Sequence, residues 1–410
     1  MPPAEARRPP AIVLGGTDNA LSVTRRLARH GITVYTLNEP QAMVRYSRHG
    51  RFVPVRRGPD PQAAWLAFLK SERAAVLHGG VLLPCDDEAV ELVVRQRREL
   101  EGDYRLIEGA DEVLLAVLDK AGTYALARKA GVPAPAVWTV RSEEELASAC
   151  EGIEYPCALK PRHSHLFRKK QFDKKALVAS SRGELFRSFS QAHAHGLEML
   201  LTEIVPGAEA AYCSYYSYLD EDLQPMFEFT KRKLRQNPPG FGMGTYHVSD
   251  WSPEVAEIGL RFLRGAGLRG FGNVEFKRDA RDGRLKLIEC NARFTRLHEM
   301  LEVCGLEVAL LVYNRLAGRP LPALGRYRSG VWFWLPSSDF AAFRTLNKRG
   351  ELSLGAWVSS LLHRQRFLIF QWRDPWPSVM HFWTFLRNRA TRRWDSLTTR
   401  VRTALTGPSR

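Results

Sequence analysis

The sequence predicts an α/β protein built from more than one lobe. Apolar runs alternate with helical patterns over residues 11–118, and this alternation is typical of βαβ units around a parallel sheet. Long runs of alternating character at residues 211–219 and 225–233 predict antiparallel strands, and a hairpin pattern follows at residues 271–296. A chain of 410 residues also exceeds one ordinary core, so we expect two to four lobes.

Composition places the chain among globular proteins and sets its last segment apart. Hydrophobic residues make up 45% and charged residues 25% of the chain, which are globular values. Residues 326–410 contain 15 Lys and Arg against 4 Asp and Glu, so most of the net charge of +16 lies there, together with seven of the ten tryptophans. The body and this tail therefore have different roles.

The sequence favours a cytoplasmic protein. Six cysteines show no C-x-x-C spacing and lie mostly in apolar runs, which indicates buried thiols in a reducing compartment. The N-terminus lacks the apolar segment of a signal peptide, and no run approaches the roughly 18 apolar residues of a membrane span.

The first lobe begins with a βαβ unit. The strand A-I-V-L-G-G leads into a helix that Gly31 closes, and the strand I-T-V-Y-T-L follows. Gly15 and Gly16 lack the full G-x-G-x-x-G pattern, so we favour a tight turn over a phosphate site. We favour helix capping over ligand binding for three acidic residues at the end of a later strand, Asp86, Asp87 and Glu88.

Two loops in the middle of the chain have compositions that suit anion binding. Residues 162–175 form a basic loop with His163 and His165, for which phosphate contact, an acidic substrate and a solvated loop all remain open. Residues 237–245 form a glycine-rich loop. Further along, residues 297–316 predict one long amphipathic helix.

The hairpin carries the most informative side chains. A turn at Asp282-Gly283 places Glu275 opposite Glu289, with Asn291 on the same face. Two carboxylates at this separation repel each other unless a cation lies between them, and carboxylate and amide oxygens suit Mg²⁺. A surface hairpin with solvated glutamates is the alternative. The other face is predicted to point into a core: Val274, Phe276, Ile288 and Cys290.

An ordered set of short motifs runs through residues 11–320. The motifs are L-D-K (118–120), G-V-P-A-P (131–135), A-L-K-P (158–161), E-I-V-P-G-A-E (203–209), K-R-K-L-R-Q-N-P-P (231–239), F-G-M-G-T (241–245), N-V-E-F (273–276) and I-E-C-N-A-R-F (288–294). Each motif is weak alone, and the set in this order is specific. The set resembles the ATP-grasp superfamily, in particular its carboxylate–amine ligases, which include proteins similar to D-aspartate ligase and to the carbamoyl-phosphate synthase large chain.

The resemblance implies a role for individual residues around ATP. Lys120 and Lys160 match the basic residues at the nucleotide phosphates, and Glu209 matches an acid near the ribose. The segment that contacts the adenine matches Glu203, Ile204 and Val205, and the flexible cover over the phosphates includes Gly242 and Gly244. The chain departs from many relatives in the loop after Lys160, which contains no glycine.

The metal and catalytic positions also follow from the resemblance. Glu275, Glu289 and Asn291 match its Mg²⁺ ligands, in agreement with the hairpin geometry. Arg293 matches the arginine that contacts the transferred phosphate. The remaining catalytic candidates, Lys231 and Lys233, share one face of a strand, with Arg232 on the other. Arg296 is placed to hold a substrate carboxylate.

The resemblance implies a fold, a reaction and its cofactors. The expected fold is a Rossmann-like lobe at 1–118, the small and large ATP-grasp lobes at 119–205 and 206–325, and a mostly helical, Trp/Arg-rich extension at 326–410. The expected reaction joins a carboxylate to an amine through an acyl phosphate, with ATP and Mg²⁺ or Mn²⁺ as cofactors. An ATP-grasp kinase and a non-catalytic nucleotide-binding scaffold are the alternatives.

The tail predicts a contact with a membrane. Trp and Arg together suit a bilayer interface, which indicates a peripheral position at the inner face of the membrane and a substrate that is either a small molecule or linked to lipid. A helical lobe that packs its tryptophans on the core is an equal alternative. Nucleic acid ranks last, because no recognisable module accompanies the tail. Association into a homo-oligomer remains open.

Overall fold

The computed structural model of the chain describes residues 8–56, 58, 60–162, 176–384 and 387. His163, His165 and Trp394, and with them most of the predicted basic loop and the end of the tail, lie outside the described residues. The strands are β1 Ala11–Leu14, β2 Val34–Asn38, β3 Arg51–Pro54, β4 Val81–Pro84, β5 Val137–Val140, β6 Cys157–Pro161, β7 Leu177–Ala179, β8 Met199–Glu203, β9 Tyr212–Leu219, β10 Pro225–Asn237, β11 Met243–Ser249, β12 Gly270–Arg278, β13 Leu285–Asn291, β14 Trp332–Trp334 and β15 Gln365–Phe367.

The α-helices lie between these strands and after them. They are α1 Asp18–Arg29, α2 Pro61–Leu69, α3 Asp87–Arg95, α4 Arg97–Leu100, α5 Asp111–Leu118, α6 Lys120–Lys129, α7 Glu143–Ala149, α8 Arg182–Ala194, α9 Pro253–Ala266, α10 His298–Val303, α11 Val308–Ala317, α12 Pro336–Lys348 and α13 Leu354–Ser360. A further helical segment covers residues 376–384.

The first sheet is parallel, with strand order β3-β2-β1-β4, which confirms the predicted βαβ units. The turn after β1 is tight because Asp86 fills the space beside it. A Cβ on Gly15 would lie 2.3 Å from the Asp86 carboxylate, and the Gly16 N–H donates to that carboxylate at 3.0 Å. Asp86 also accepts from Ala89 N at the start of α3, so the predicted capping role is confirmed.

Two antiparallel sheets supply the rest of the framework. A four-stranded sheet has the order β5-β8-β6-β7, and a seven-stranded sheet has the order β13-β12-β9-β10-β11-β14-β15, in which only the pair β14–β15 is parallel. The last two strands come from the predicted C-terminal extension, whose helices α12 and α13 were expected and whose strands were not. The domain boundaries at 118, 205 and 325 stay predictions.

One face of the seven-stranded sheet is divided into an apolar half and a polar half. Tyr216, Phe229 and Phe271 lie on the apolar half and belong to a core cluster that also contains residues of β1, α1 and α11. Phe333 of β14 and Leu368 complete this cluster, so the extension shares a core with the first lobe. The polar half of the same face remains available for a site.

The structure corrects one predicted helix. Residues 297–316 form two helices, α10 and α11, because Gly305 adopts a left-handed conformation with φ of 104° after α10 ends. The predicted burial of the thiols is confirmed for five of the six cysteines, and Cys150 is partly exposed. Within the described part of the chain, no helix combines the length and apolar character needed to cross a membrane.

Candidate active site

Strand register assembles a line of polar side chains across five strands. Because directly paired residues point to the same side of a sheet, their side chains lie next to one another. The line runs through Glu289, Glu275, Ser214, Lys231 and Ser249. A second line, two residues along each strand, runs through Lys277, Tyr212, Lys233 and His247. The two lines form the polar half of the sheet face.

The hairpin pairs the residues that the sequence predicted as metal ligands. Glu275 lies directly opposite Glu289, and Asn291 lies opposite Asn273, which confirms the predicted pairing. Two carboxylates and an amide supply hard oxygen donors of the kind that Mg²⁺ prefers. Among the described residues, no group of three His, Cys, Asp or Glu side chains could hold a metal, so such a site depends on Asn291 or on oxygens from a substrate.

A β-bulge in the hairpin corrects one predicted core residue. The register shifts between Glu275 and Phe276, so that Phe276 pairs with Leu287 and Ile288 becomes the extra residue. Leu287 enters the core in place of Ile288. Ile288 instead lines a cavity together with Lys120, Glu289 and Asn291, and this cavity brings together three of the predicted site residues.

Lys231 and Lys160 are site lysines whose positive charge is only partly offset by nearby carboxylates. Lys231 is 2% exposed, and its Nζ donates to Ser214 Oγ at 3.1 Å. Burial lowers the pKa of Lys231 to about 8, against the attraction of Glu275. Burial also lowers the pKa of Lys160 to about 8, and the charge of Glu289 opposes this shift. An anion that enters the site would stabilise both ammonium groups, so these residues fit a polyphosphate.

Lys233 and Lys277 connect the hairpin of β12 and β13 to its surroundings. Lys233 Nζ lies 3.0 Å from Glu275 Oε1 and 3.8 Å from the centre of the Tyr212 ring. Lys277 Nζ donates to the carbonyl of Val205 at 2.7 Å. Lys231 and Lys233 are both buried, whereas Arg232 is exposed, which confirms that the two lysines share a face. Their catalytic roles stay predictions.

The segment predicted to contact adenine joins the two antiparallel sheets. Glu203 accepts a hydrogen bond from Ala136 N at 3.0 Å and lies 3.5 Å from Lys286 Nζ. Its carboxylate is therefore held by the protein, while Ile204 remains partly exposed. Val205 is buried, and its carbonyl is already bonded to Lys277. Contacts of this segment with adenine stay predictions.

Three predicted cationic residues are held by partners within the protein. Lys120 Nζ donates to the carbonyl of Pro161 at 3.2 Å, which places it beside the end of β6. Arg293 Nε donates to Asp87 of the first lobe. Arg296 likewise donates to Asp18, at 2.8 Å from Nε, so the predicted fork for a substrate carboxylate is engaged by a protein carboxylate.

The glycine-rich loop is tied down at its start and tightly folded. Glu209 accepts from Gln236 N at 3.2 Å and from Gly240 N at 2.8 Å, so it binds the loop, and its predicted ribose contact stays a prediction. A Cβ on Gly242 would lie 2.1 Å from the backbone of Asn237. A Cβ on Gly244 would meet the His247 ring at 2.2 Å. There is therefore no room for a side chain at positions 242 and 244, which explains glycine at both.

His247 is a site residue that the sequence analysis missed. It is 2% exposed, and among the described residues neither ring nitrogen has a hydrogen-bond partner. Burial, reinforced by the charges of Lys231 and Lys233, lowers the pKa of His247 well below its ordinary value, so the ring is neutral. His247 lies on the cleft face because it pairs with Lys233, and the register shifts between them and the loop mean that alternation counted along the sequence could not have shown this.

The chain is similar to known ligases both in sequence and in structure. No family model matches the chain. The chain is 27% identical over 289 residues to the D-aspartate ligase of Enterococcus faecium, an alignment that covers 67% of this chain and 68% of that protein. It is similar in structure to the L-amino acid ligase of Bacillus licheniformis, with a TM-score of 0.57, 13% identity, and coverage of 76% of this chain and 75% of that one.

The chain is also similar to a solved structure that contains bound MgADP. The biotin carboxylase domain of the Hydrogenobacter thermophilus 2-oxoglutarate carboxylase, in complex with MgADP, matches with a TM-score of 0.59 and 18% identity, over 78% of this chain and 73% of that one. These likenesses confirm the predicted α/β fold.

Proposed function

We propose that this chain is an ATP-grasp protein similar to the carboxylate–amine ligases, and that it joins a carboxylate to an amine with the cleavage of ATP to ADP and phosphate. The observation that carries the proposal is the line from Glu289 through Glu275 to Lys231 on one sheet face, with Lys160 nearby. This line combines oxygen donors for a metal with buried cations for phosphates.

The proposed cofactors are ATP and Mg²⁺. Glu275, Glu289 and Asn291 would hold the metal, which supplies charge neutralisation and orientation at phosphate oxygens. Lys160 and Lys120 would hold the phosphates, and the segment 203–205 would contact the adenine. The site supplies positioning and positive charge, which are the main requirements of phosphoryl transfer.

The proposed chemistry balances in two steps. The carboxylate oxygen takes the terminal phosphoryl group, and the bond between that group and ADP breaks. The amine nitrogen then attacks the acyl carbon, phosphate leaves, and the nitrogen loses one proton. Arg293 and Lys233 would offset the charge that develops on the moving phosphoryl group. The glycine-rich loop 237–245 would exclude water, which hydrolyses acyl phosphates.

The test is product formation with a panel of carboxylates and amines. The panel should include D-aspartate, tested both as the carboxylate and as the amine, because the similar enzyme from Enterococcus faecium is named after it. We expect ADP and phosphate to appear together only when both a carboxylate and an amine are present. ADP with a phosphorylated product would favour a kinase, and no turnover with any pair would contradict both enzymes.

A pair of variants tests the metal assignment. Glu289→Gln should abolish turnover, because it removes one of two facing carboxylates. Asp282→Asn at the exposed tip of the same hairpin removes one negative charge without touching the site, so it should leave turnover unchanged. Full activity in Glu289→Gln would show that the metal assignment is wrong.

We further propose that the C-terminal extension contacts an anionic membrane surface, with a lipid-linked carboxylate of the cell envelope as substrate. Some tryptophans of the extension pack internally: Trp332 stacks on His363 at 4.0 Å and Trp357 on Phe343 at 4.7 Å. Others are solvent-exposed, including Trp372 at 87%. The exposed large apolar residues in the described part of the extension are Phe340, Leu354, Val358, Leu362, Phe367, Trp372, Trp376, Val379, Phe382 and Trp383.

Charge on this surface supports a lipid occupant. Arg364 and Arg373 are exposed between the aromatic residues. In the described residues from 352 onward, the single acidic side chain is Asp374, which is fully buried. Exposed indole rings and guanidinium groups together suit the headgroup region of an anionic bilayer.

Liposome co-sedimentation tests the membrane contact. We expect binding to vesicles that contain anionic lipid and little binding to neutral vesicles. Replacing Trp372 and Trp376 by alanine should weaken binding, whereas Trp251→Ala, at an exposed tryptophan outside this surface, should not. Equal binding by all three proteins, or binding by none, would contradict the proposal.

A further inference from the structure

Asp339 is a buried carboxylate that accepts hydrogen bonds from four residues on four different elements. It lies on α12 of the C-terminal extension and is 0% exposed. Its oxygens accept from Arg235 Nε at 2.8 Å and Nη2 at 2.9 Å, which is a two-pronged contact. The other donors are Thr245 Oγ1 at 2.9 Å, Trp334 Nε1 at 3.1 Å and Trp357 Nε1 at 2.9 Å.

The contact with Arg235 depends on a local irregularity of β10 and β11. Register shifts flank Arg235 on both sides, so that it pairs with Tyr246, whereas Lys233 pairs with His247 and Gln236 pairs with Gly244. Regular alternation would place Arg235 on the cleft face beside Lys233. The shifts turn it to the opposite face, where its guanidinium lies 4.4 Å from the centre of the Tyr246 ring.

Both strands that Asp339 holds lead directly into the site. Arg235 follows Lys233 by two residues, and Thr245 follows Gly244 directly. Between them lies the glycine-rich loop, whose other anchor is Glu209. Asp339 is therefore bonded to the outgoing stem and to the returning stem of the loop, at the point where the strands depart from regular pairing.

We propose that Asp339 is a positioning residue, through which the C-terminal extension fixes the stems of the glycine-rich loop and so sets the positions of Lys233 and the loop over a bound nucleotide. The carboxylate neutralises Arg235 and holds both strands in the shifted register. Its kinetic consequence rests on the proposed ligase function, whereas its effect on the loop does not.

The test compares Asp339→Asn with a matched control. An asparagine turns one acceptor into an NH₂ donor that faces the guanidinium, so the two-pronged contact is lost while the side-chain shape is kept. Asp374→Asn is the control, because Asp374 is also 0% exposed, also lies in the extension and also holds a buried arginine, Arg25, at 2.8 Å. Arg25 belongs to α1, away from the loop.

Hydrogen exchange and nucleotide binding give readouts that a general loss of stability would not produce. We expect amide exchange at residues 240–244 to accelerate at least about 10-fold in Asp339→Asn and not in Asp374→Asn. Binding of MgADP should weaken, and kcat/KM should fall about 10- to 100-fold, in the same variant alone, because small misplacements of positioning groups have effects of this size.

The outcomes separate the two proposals. Similar exchange at 240–244 in both variants, or no acceleration in Asp339→Asn, would overturn the positioning role. If Asp339→Asn does not fold, Thr245→Val decides by the same criteria, since it removes one donor to Asp339 and keeps the side-chain shape. Loop exchange needs no turnover, so wild-type protein without ligase activity would refute the proposed function and leave this test intact.

Discussion

Nucleotide binding should draw protons from solution at mildly alkaline pH, because Lys231 and Lys160 both have a pKa of about 8 in the free protein. For Lys231 the difference from 10.5 corresponds to a net penalty of about 3 kcal/mol on the charged form, after the attraction of Glu275 has offset part of the cost of burial. A bound polyphosphate favours the ammonium form and raises both pKa values toward 10.5. Nucleotide affinity should therefore fall as the pH rises through 8.

The expected proton uptake follows from these values. At pH 8 each lysine is about half protonated, so binding should take up about 0.5 proton per lysine and about one in total. At pH 6.5 both are already protonated, so uptake should be close to zero. Titration calorimetry of MgADP in two buffers with different heats of ionisation measures the number directly.

Two variants complete this experiment. Lys231→Met should lose about half of the uptake at pH 8, since one of two titrating groups is gone. Lys129→Met, at an exposed lysine at the opposite end of α6 from Lys120, should keep the full uptake. The reasoning would be refuted by binding of MgADP at pH 8 without proton uptake, or by an uptake at pH 6.5 as large as at pH 8.

Three further variants test separate contacts. Gly244→Ala drives a methyl group into the His247 ring, so it should lower the free energy of unfolding by about 1–3 kcal/mol and reduce kcat/KM. Adding His247→Ala should restore part of the stability and part of kcat/KM, and no restoration in thermal melts or kinetics would contradict the clash. Glu209→Gln weakens two hydrogen bonds to the glycine-rich loop, so calorimetry should show an MgADP affinity reduced about 10-fold. An unchanged affinity would mean that contacts other than those of Glu209 hold the loop. Arg25→Met leaves the buried Asp374 without its cation, so it should lower the free energy of unfolding in urea by about 3–5 kcal/mol. The double variant Arg25→Met/Asp374→Leu should lose less stability than the sum of the two single variants, and additive losses would argue against a coupled pair.

The hairpin shows how far local pattern can predict a site. The turn at Asp282-Gly283 and strict alternation were sufficient to pair Glu275 with Glu289, and the structure has that pair. The same alternation failed one residue later, because the bulge moves Ile288 out of the core. A bulge leaves the composition of a strand unchanged, so a period of two does not reveal it.

Contacts between distant segments decided the rest of the site. The sequence placed Arg293 and Arg296 in the cleft as cations, yet both donate to carboxylates of the first lobe, Asp87 and Asp18. Those partners lie more than 200 residues away along the chain. Nothing in local spacing indicates which of many acidic residues becomes such a partner, since that choice depends on how the lobes pack.

The sequence by itself determined the β12–β13 pairing and the chemistry that this hairpin carries, up to the bulge at Ile288. Periodicity of two and the D-G turn fixed which side chains share a face, because these are properties of a few consecutive residues. The tertiary structure decided which faces are covered and which remain polar. It placed β14 and β15 of the tail on the edge of the large sheet and brought Asp339 to the stems of the glycine loop. Such contacts depend on the free energy of packing whole elements together, and a few consecutive residues do not reveal this free energy.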